Sequence, residues 1–196
     1  MIVTCDERGI RAANDSIKKG GVVVFPTDTV YGIGCNPYNK DAINKIFKIK
    51  GRDKTKQLPV LGYSKNEIKE IAIFDEKSEK IADKFWPGPL TLILKVKDKK
   101  IQESLGLQEK IAVRVPNHPC LLALLKECKL LVGTSANFSG QPSFNDSKRI
   151  IGAFAGYDVL LDGGKIVDPG ESTIIQFEGN ELKIVREGKI KSESLV

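Results

Sequence analysis

The chain of 196 residues is 41% hydrophobic, which suits a single domain over residues 1–196, with a core from about 10 to 188 and a short polar C-terminal tail. No run reaches the roughly 18 apolar residues of a membrane span, and Asp6, Glu7 and Arg8 stand where a signal peptide would be apolar, so the sequence reads as soluble, cytoplasmic and without a membrane partner. Cys5, Cys35, Cys120 and Cys128 include no C-x-x-C pair and there is one histidine, which argues against a zinc site or a disulfide framework and for reduced thiols; 31 Lys and Arg against 25 Asp and Glu, net +6, favour anionic partners such as nucleotides or RNA.

Ile10, Ala13 and Ile17 recur at helical spacing, and Gly20-Gly21 stops that helix. Val22 to Phe25 has the length and composition of a buried strand, which Pro26 ends because it has no N–H to give a sheet ladder. Thr27, Asp28 and Thr29 then set two hydroxyls and a carboxylate at a strand end, where α/β folds form ligand crevices, and Gly32 and Gly34 let the backbone come close to something bound. Taken alone, the same residues read first as a turn whose side chains satisfy local backbone groups, so the other strand ends must decide. Asp41 reads as the N-cap of a second helix with Ile43, Ile46 and Phe47 inward, running out near Gly51. Around its end Lys45, Lys48, Lys50, Arg52, Lys54 and Lys56 place six cations in twelve residues. Lys45 and Lys48 fit solvated residues that complement the helix dipole.

Leu58 to Leu61 reads as a short strand, and Ser64-Lys65-Asn66-Glu67 as a capping box opening a helix that buries Ile68, Ile71 and Ala72. A further helix with Ile81, Ala82 and Phe85 inward stops at Trp86-Pro87-Gly88-Pro89, with Trp86 anchoring the corner. Leu90 to Val96 is a strand. Along Ile111 to Val115, period two puts Ile111, Val113 and Val115 on one face and Arg114 on the other, toward solvent or a cleft. Pro119 suits the first turn of a helix from about Cys120 to Glu127, and His118 in the preceding loop has no visible partner to tune it, which suits a structural or solvent role. Leu130 to Val132 leads into a second polar strand end, Gly133-Thr134-Ser135-Ala136-Asn137, whose loop continues to Ser143 before a helix from about Asp146 to Phe154. Val159 to Leu161 is a strand, and Ser172 to Phe177 with Leu182 to Val185, joined by Glu178-Gly179-Asn180, form a hairpin.

Several chemistries are excluded: the chain has no phosphate loop of the G-x-x-x-x-G-K-[ST] type, no dinucleotide fingerprint, no G-x-S-x-G elbow and no H-E-x-x-H. What remains is a set of polar strand ends with Lys50, Arg52, Lys56, Arg114 and Arg186 near them, suited to binding a polyanion and stabilising charge that develops on it. RNA would suit such an array nearly as well, although aromatics at 7% leave no evident base-stacking platform.

PTDTVYGIG, Lys50-x-Arg52, WPGPLTLIL at 86 to 94, AVRVPNHP at 112 to 119, SAN at 135 to 137, and ESTII followed by Arg186-x-Gly188 closely resemble the YrdC-like family of threonylcarbamoyl-adenylate synthases, in order from about Ile10 to Gly188. The resemblance implies an α/β domain, a twisted mixed sheet with flanking helices around a basic concave cleft. It implies an enzyme, a nucleotidyltransferase that converts L-threonine, bicarbonate and ATP, with Mg2+, into threonylcarbamoyl-AMP and pyrophosphate. A threonylcarbamoyl transferase would take the product on to tRNA. By resemblance Thr29, Arg114 and Ser172 hold threonine, and Lys50, Arg52, Lys56, Lys110, Ser135, Asn137, Ser143 and Arg186 surround ATP, with Lys50 and Arg52 catalytic. No side-chain metal ligands are implied. Three departures stand out: Leu61 replaces a histidine of some long members, Asp28 replaces the commoner glutamate, and the chain lacks the extra C-terminal domain of the long form. The alternative reading is a non-enzymatic binder of double-stranded RNA or tRNA that uses the same cleft.

Overall fold

A computed structural model describes residues 1–179 and 181–195. The chain opens with β1 (Ile2–Thr4), after which Asp6 caps α1 (Glu7–Lys18) by accepting from the Gly9 N–H; Ile10, Ala13 and Ile17 form its buried stripe, as their spacing predicts. The buried β2 (Val23–Phe25) runs through Pro26 into the Thr27–Val30 turn and returns as β3 (Gly32–Gly34). Next, α2 (Lys40–Lys50) is capped by Asn39, not Asp41: the Asn39 side chain reaches the Ala42 N–H, and Asp41 instead puts its charge in the first turn. Gly51 closes α2 in the left-handed region, φ 57°.

β4 (Val60–Gly62) precedes α3 (Lys65–Ile71), where Ser64 accepts from the Asn66 N–H and donates to Glu67, a variant of the expected box. Ala72 does not extend that helix but starts β5 (Ala72–Ile73), which pairs with the edge of β6. The chain then follows α4 (Glu76–Phe85), β6 (Leu90–Val96), α5 (Lys99–Ser104), β7 (Lys110–Arg114), α6 (Pro119–Cys128), β8 (Leu130–Val132) and β9 (Thr134–Ser135). It ends with α7 (Ser147–Ile150), β10 (Val159–Asp162), β11 (Thr173–Glu178) and β12 (Glu181–Arg186). Trp86 is half-buried at its corner, donating from its indole to the Leu90 carbonyl at 2.7 Å with its ring edge-on to Phe74.

The architecture is mixed α/β, as expected, and its strands form two hydrogen-bonded groups. One runs β1-β10-β2-β3-β9, parallel among its first three strands and antiparallel beyond; the other runs β12-β11-β6-β7-β4-β8, mixing both senses. The chain passes from one group to the other at Gly133, between β8 and β9, and the Val132 N–H bonds across to the Cys35 carbonyl at 2.9 Å. α1 and α6 pack together on one side around Leu121, Leu124 and Leu125.

Four further expectations need correction. The close approach at Gly32 and Gly34 is to the protein's own chain: a Cβ on Gly32 would press into the Phe25 ring, and one on Gly34 would overlap the Val132 carbonyl oxygen, while Gly32 also lines the cleft described below. The helix expected to reach Phe154 stops at Ile150, because after one turn the chain bends at Ile151 and Gly152 takes φ 86°. Cys5 and Cys120 are not free thiols but a disulfide, their Cα atoms 5.5 Å apart across 115 residues; β1 pairing and the α1–α6 contact create a proximity that cysteine spacing does not encode. Cys35 and Cys128 are free, and burial pushes both thiols up to about 12. The C-terminal segment is anchored as well as polar: Ile190 and Leu195 are buried, and the Thr173 hydroxyl donates to the Ile190 carbonyl at 2.7 Å while accepting from the Gly188 and Ile190 N–H groups. β11 and β12 pair as the expected hairpin, with Asn180 of its turn outside the described residues. Gly34→Ala should lower the unfolding free energy by about 1–3 kcal/mol, since a backbone oxygen cannot rotate out of the way. Urea melts with unchanged midpoint would show that β3 and β8 separate at little cost.

Candidate functional site

A cleft of about 370 Å³ opens where the two strand groups meet, lined by the Thr27–Gly32 turn, the inner faces of β6 and β7, the Gly133–Ser135 crossing and the start and end of the terminal hairpin. Arg52, Arg114 and Arg186 line it with a single carboxylate, Glu171. Its flank is apolar, from Val30, Leu61, Ile93, Ile174 and Val185. A site of this make-up can orient a small polar anion against an apolar wall.

Arg114 resolves the choice left by its strand pattern: it is buried and faces the cleft. Its Nε donates to the Gly88 carbonyl at 2.9 Å, Nη1 to the Thr29 hydroxyl at 3.2 Å and Nη2 to Asp28 at 2.6 Å. These use three of the five guanidinium N–H groups and leave one on each terminal nitrogen. Burial draws the Arg114 proton affinity down; Asp28 opposes that, and the nearby positive charge of Arg186 adds to it. Thr27 organises the turn, its hydroxyl donating to the Val30 carbonyl at 2.7 Å and accepting from the Thr29 and Val30 N–H groups. The local-turn reading holds for Thr27, which serves the backbone, while the Thr29 hydroxyl meets Arg114 in the cleft lining.

On the opposite wall Ser172 is buried, its hydroxyl 3.0 Å from that of Thr91 and also 3.0 Å from Arg186 Nη2. Arg186 donates twice to the Ser172 carbonyl, at 2.9 and 3.1 Å, and pairs with Glu171 at 3.2 Å. Arg52 is half-buried at the mouth, held by the Lys56 and Gln57 carbonyls, both at 3.1 Å.

Lys50 sits behind this wall, not in it, although the sequence reading grouped it with Arg52. Only 2% exposed, its ammonium donates to the Ser135 carbonyl, to the Asn137 carbonyl at 2.8 Å and to Asn137 Oδ1 at 3.1 Å. Those partners take its three donors, all without carrying charge. Burial lowers Lys50 to about 8, and the neighbouring Arg52 contributes to the shift. Asn137 is also tied to Ser135 Oγ at 2.6 Å and to the Phe138 and Gln141 carbonyls, so one cation braces the whole loop.

Thr29, Arg52, Arg114, Ser135, Ser172 and Arg186 thus meet at one cleft. Lys50 and Asn137 support it from behind. Lys56 and Lys110 are exposed outside its lining, Lys110 near Gln176 at 3.4 Å, and Ser143 is half-buried on the loop beyond Gln141. Sequence reasoning missed Thr91, whose signal was a lone hydroxyl in the apolar run LTLIL, and the Asp28–Arg114 pair, which spans 86 residues and had none. His118 precedes the first turn of α6 half-buried, without a side-chain cap to the helix, and burial lowers its proton affinity against the pull of Asp28.

Fold and cleft together define an α/β domain with a pocket lined by Arg52, Arg114 and Arg186. The chain belongs to the Sua5/YciO/YrdC family, whose family model, described as "Telomere recombination", matches residues 15–188. The threonylcarbamoyl-AMP synthases of Pyrococcus abyssi and Bacillus subtilis are 33% and 35% identical over 97% and 91% of this chain. The chain spans about half the length of these relatives, 57% and 53%. A Methanocaldococcus jannaschii protein is 36% identical over 91% of this chain and 85% of its own length. Among solved structures, P. abyssi Sua5 complexed with L-threonine superposes with a TM-score of 0.91 at 32% identity over all of this chain and 59% of its own. E. coli YciO superposes at 0.89 with 25% identity, over 97% of this chain and 94% of its own.

The Lys50 shift has a sign that can be measured. Its folded value, about 8, lies below its ordinary 10.5, so the unfolded chain holds the extra proton between those values and folding stability gains from rising pH there. Buried thiols and tyrosines act in the opposite sense, so the comparison is with Lys50→Met. Between pH 8 and 10.5 the unfolding free energy of the wild type should climb relative to the variant; parallel curves would show that Lys50 titrates normally.

Proposed function

We propose that this protein is an L-threonylcarbamoyladenylate synthase, supplying the intermediate that a separate threonylcarbamoyl transferase attaches to tRNA in the cytoplasm. The observation that carries this reading is the convergence of Thr29, Arg114, Ser172 and Arg186 on one cleft, in a family whose relatives bear that name. The free N–H groups of Arg114 take the threonine carboxylate, with the Thr29 and Ser172 hydroxyls beside it. Arg52, Ser135 and Arg186 take ATP, with Lys56, Lys110, Asn137 and Ser143 around them.

The threonine amine first attacks the bicarbonate carbon, forming the N–C bond as a C–O bond breaks and water leaves, which gives the carbamate. An oxygen of that carbamate then attacks the α-phosphate, forming the new P–O bond as the bond to the β-phosphate breaks and pyrophosphate leaves with the electron pair. Arg52, fixed by two carbonyls and open to the cleft, stabilises the charge that gathers on phosphate oxygens. Lys50 acts as a positioning residue, holding the Ser135–Asn137 loop while its positive charge reaches the site through space. Magnesium enters as part of the ATP substrate, bound by phosphate oxygens and water. The described residues hold no group of three His, Cys, Asp or Glu side chains placed to bind a metal ion. They also contain no helix long and apolar enough to cross a membrane.

Purified protein should release pyrophosphate only when threonine, bicarbonate and ATP are all present; release that ignores threonine would refute the assignment. Arg52→Ala should lower turnover by about 10²–10³. Lys45→Ala, which removes an exposed pair with Asp158, should change it by less than about twofold. Equal effects of the two, with equal loss of salt slope in an RNA titration, would favour an RNA-binding role for the same face.

A further inference from the structure

We infer that Thr91 is a positioning residue which fixes the direction of the Ser172 hydroxyl and so makes that wall of the cleft a hydrogen-bond donor, selective for a carboxylate. The inference rests on the proposed threonine site and goes beyond it in assigning a role to a strand residue. Thr91 is 2% exposed, on β6, and among the described residues its hydroxyl has one polar partner, Ser172 Oγ at 3.0 Å. A buried hydroxyl hydrogen needs an acceptor. Either hydroxyl could donate across this pair; with Ser172 Oγ the one partner of Thr91 among the described residues, Thr91 is taken as the donor.

A serine oxygen has two lone pairs and one hydrogen. Arg186 Nη2, 3.0 Å away and able only to donate, fills one lone pair. Thr91 fills the other. Ser172 then has its own O–H left, and the open direction is the cleft, which both residues line. A carboxylate or carbonyl oxygen can receive that hydrogen, whereas an ammonium finds no free lone pair on Ser172 Oγ. With Arg114 offering N–H groups to the same space, Thr91 completes a wall that accepts the carboxylate end of an amino acid and turns its amine away, toward where the carbamate must form.

Without the Thr91 hydroxyl, the Ser172 O–H is free to rotate and no longer preset. Thr91→Val keeps the shape and burial of the side chain and removes only the donor. Calorimetric titration with L-threonine should show Kd rising about three- to tenfold in Thr91→Val, the scale of one neutral hydrogen bond, with ATP affinity unchanged within about twofold. Thr91→Ser should restore binding, since it returns the hydroxyl. In a Ser172→Ala background Thr91→Val should have no further effect, because the group it orients is gone. If wild-type protein does not bind threonine, the synthase reading and this inference both fall. If it binds and Thr91→Val binds equally well, or if Thr91→Val weakens binding as much without Ser172 as with it, the inference alone falls. Should Thr91→Val fail to fold, Thr91→Ala carries the same comparison.

Discussion

The cleft depends on the ion pair between Arg114 and Asp28. One partner stands at the end of β7 in one strand group, and the other in the turn after β2 in the other group, so their 2.6 Å contact ties the two halves of the site together. Side-chain exposures of 8% and 14% mean that both charges have largely left water. Such a pair contributes little net stability, because desolvation offsets most of the attraction, but breaking it would strand a buried charge. Its value is geometric. Asp28 also accepts from the Asn117 N–H at 3.0 Å, so one carboxylate fixes the arginine and the loop that leads into α6.

Lys50 applies a different solution to the same difficulty. Its ammonium is buried against carbonyl oxygens, which solvate the charge without cancelling it. A carboxylate partner would neutralise the site at this point, whereas carbonyls leave a net positive charge immediately behind the crossing strand. Gly133 makes the crossing possible, since a Cβ there would overlap Leu61. The sheet switch, the lysine and the Ser135–Asn137 loop therefore form one unit.

Much of this was legible in the sequence because it is local. The strand pattern of Ile111 to Val115 put Arg114 off the core face, and the apolar stripes located α1, α2, α4 and α6. Strand ends with hydroxyls marked the site because a strand delivers its last residues to a sheet edge. What stayed hidden is non-local. No pattern near Cys5 points to Cys120, and none near Asp28 to Arg114. Lys50 was singled out correctly as unlike Lys45, yet its inward direction depends on carbonyls 85 and 87 residues away. The glycines of β3 carried a signal whose meaning was ambiguous: they allow close approach, but what approaches is Phe25 and β8.

The arrangement also explains why a pocket with three arginines is compatible with a stable fold. Each cation is held by groups that need its N–H donors: Arg52 by two carbonyls, Arg186 by Ser172 and Glu171, Arg114 by Gly88, Thr29 and Asp28. Mutual repulsion remains, and Arg186 makes charge on Arg114 harder to sustain. On the proposed reading, an anion placed between them would relieve that repulsion and meet donors already fixed in direction, and the gain would be largest where negative charge builds up in the transition state.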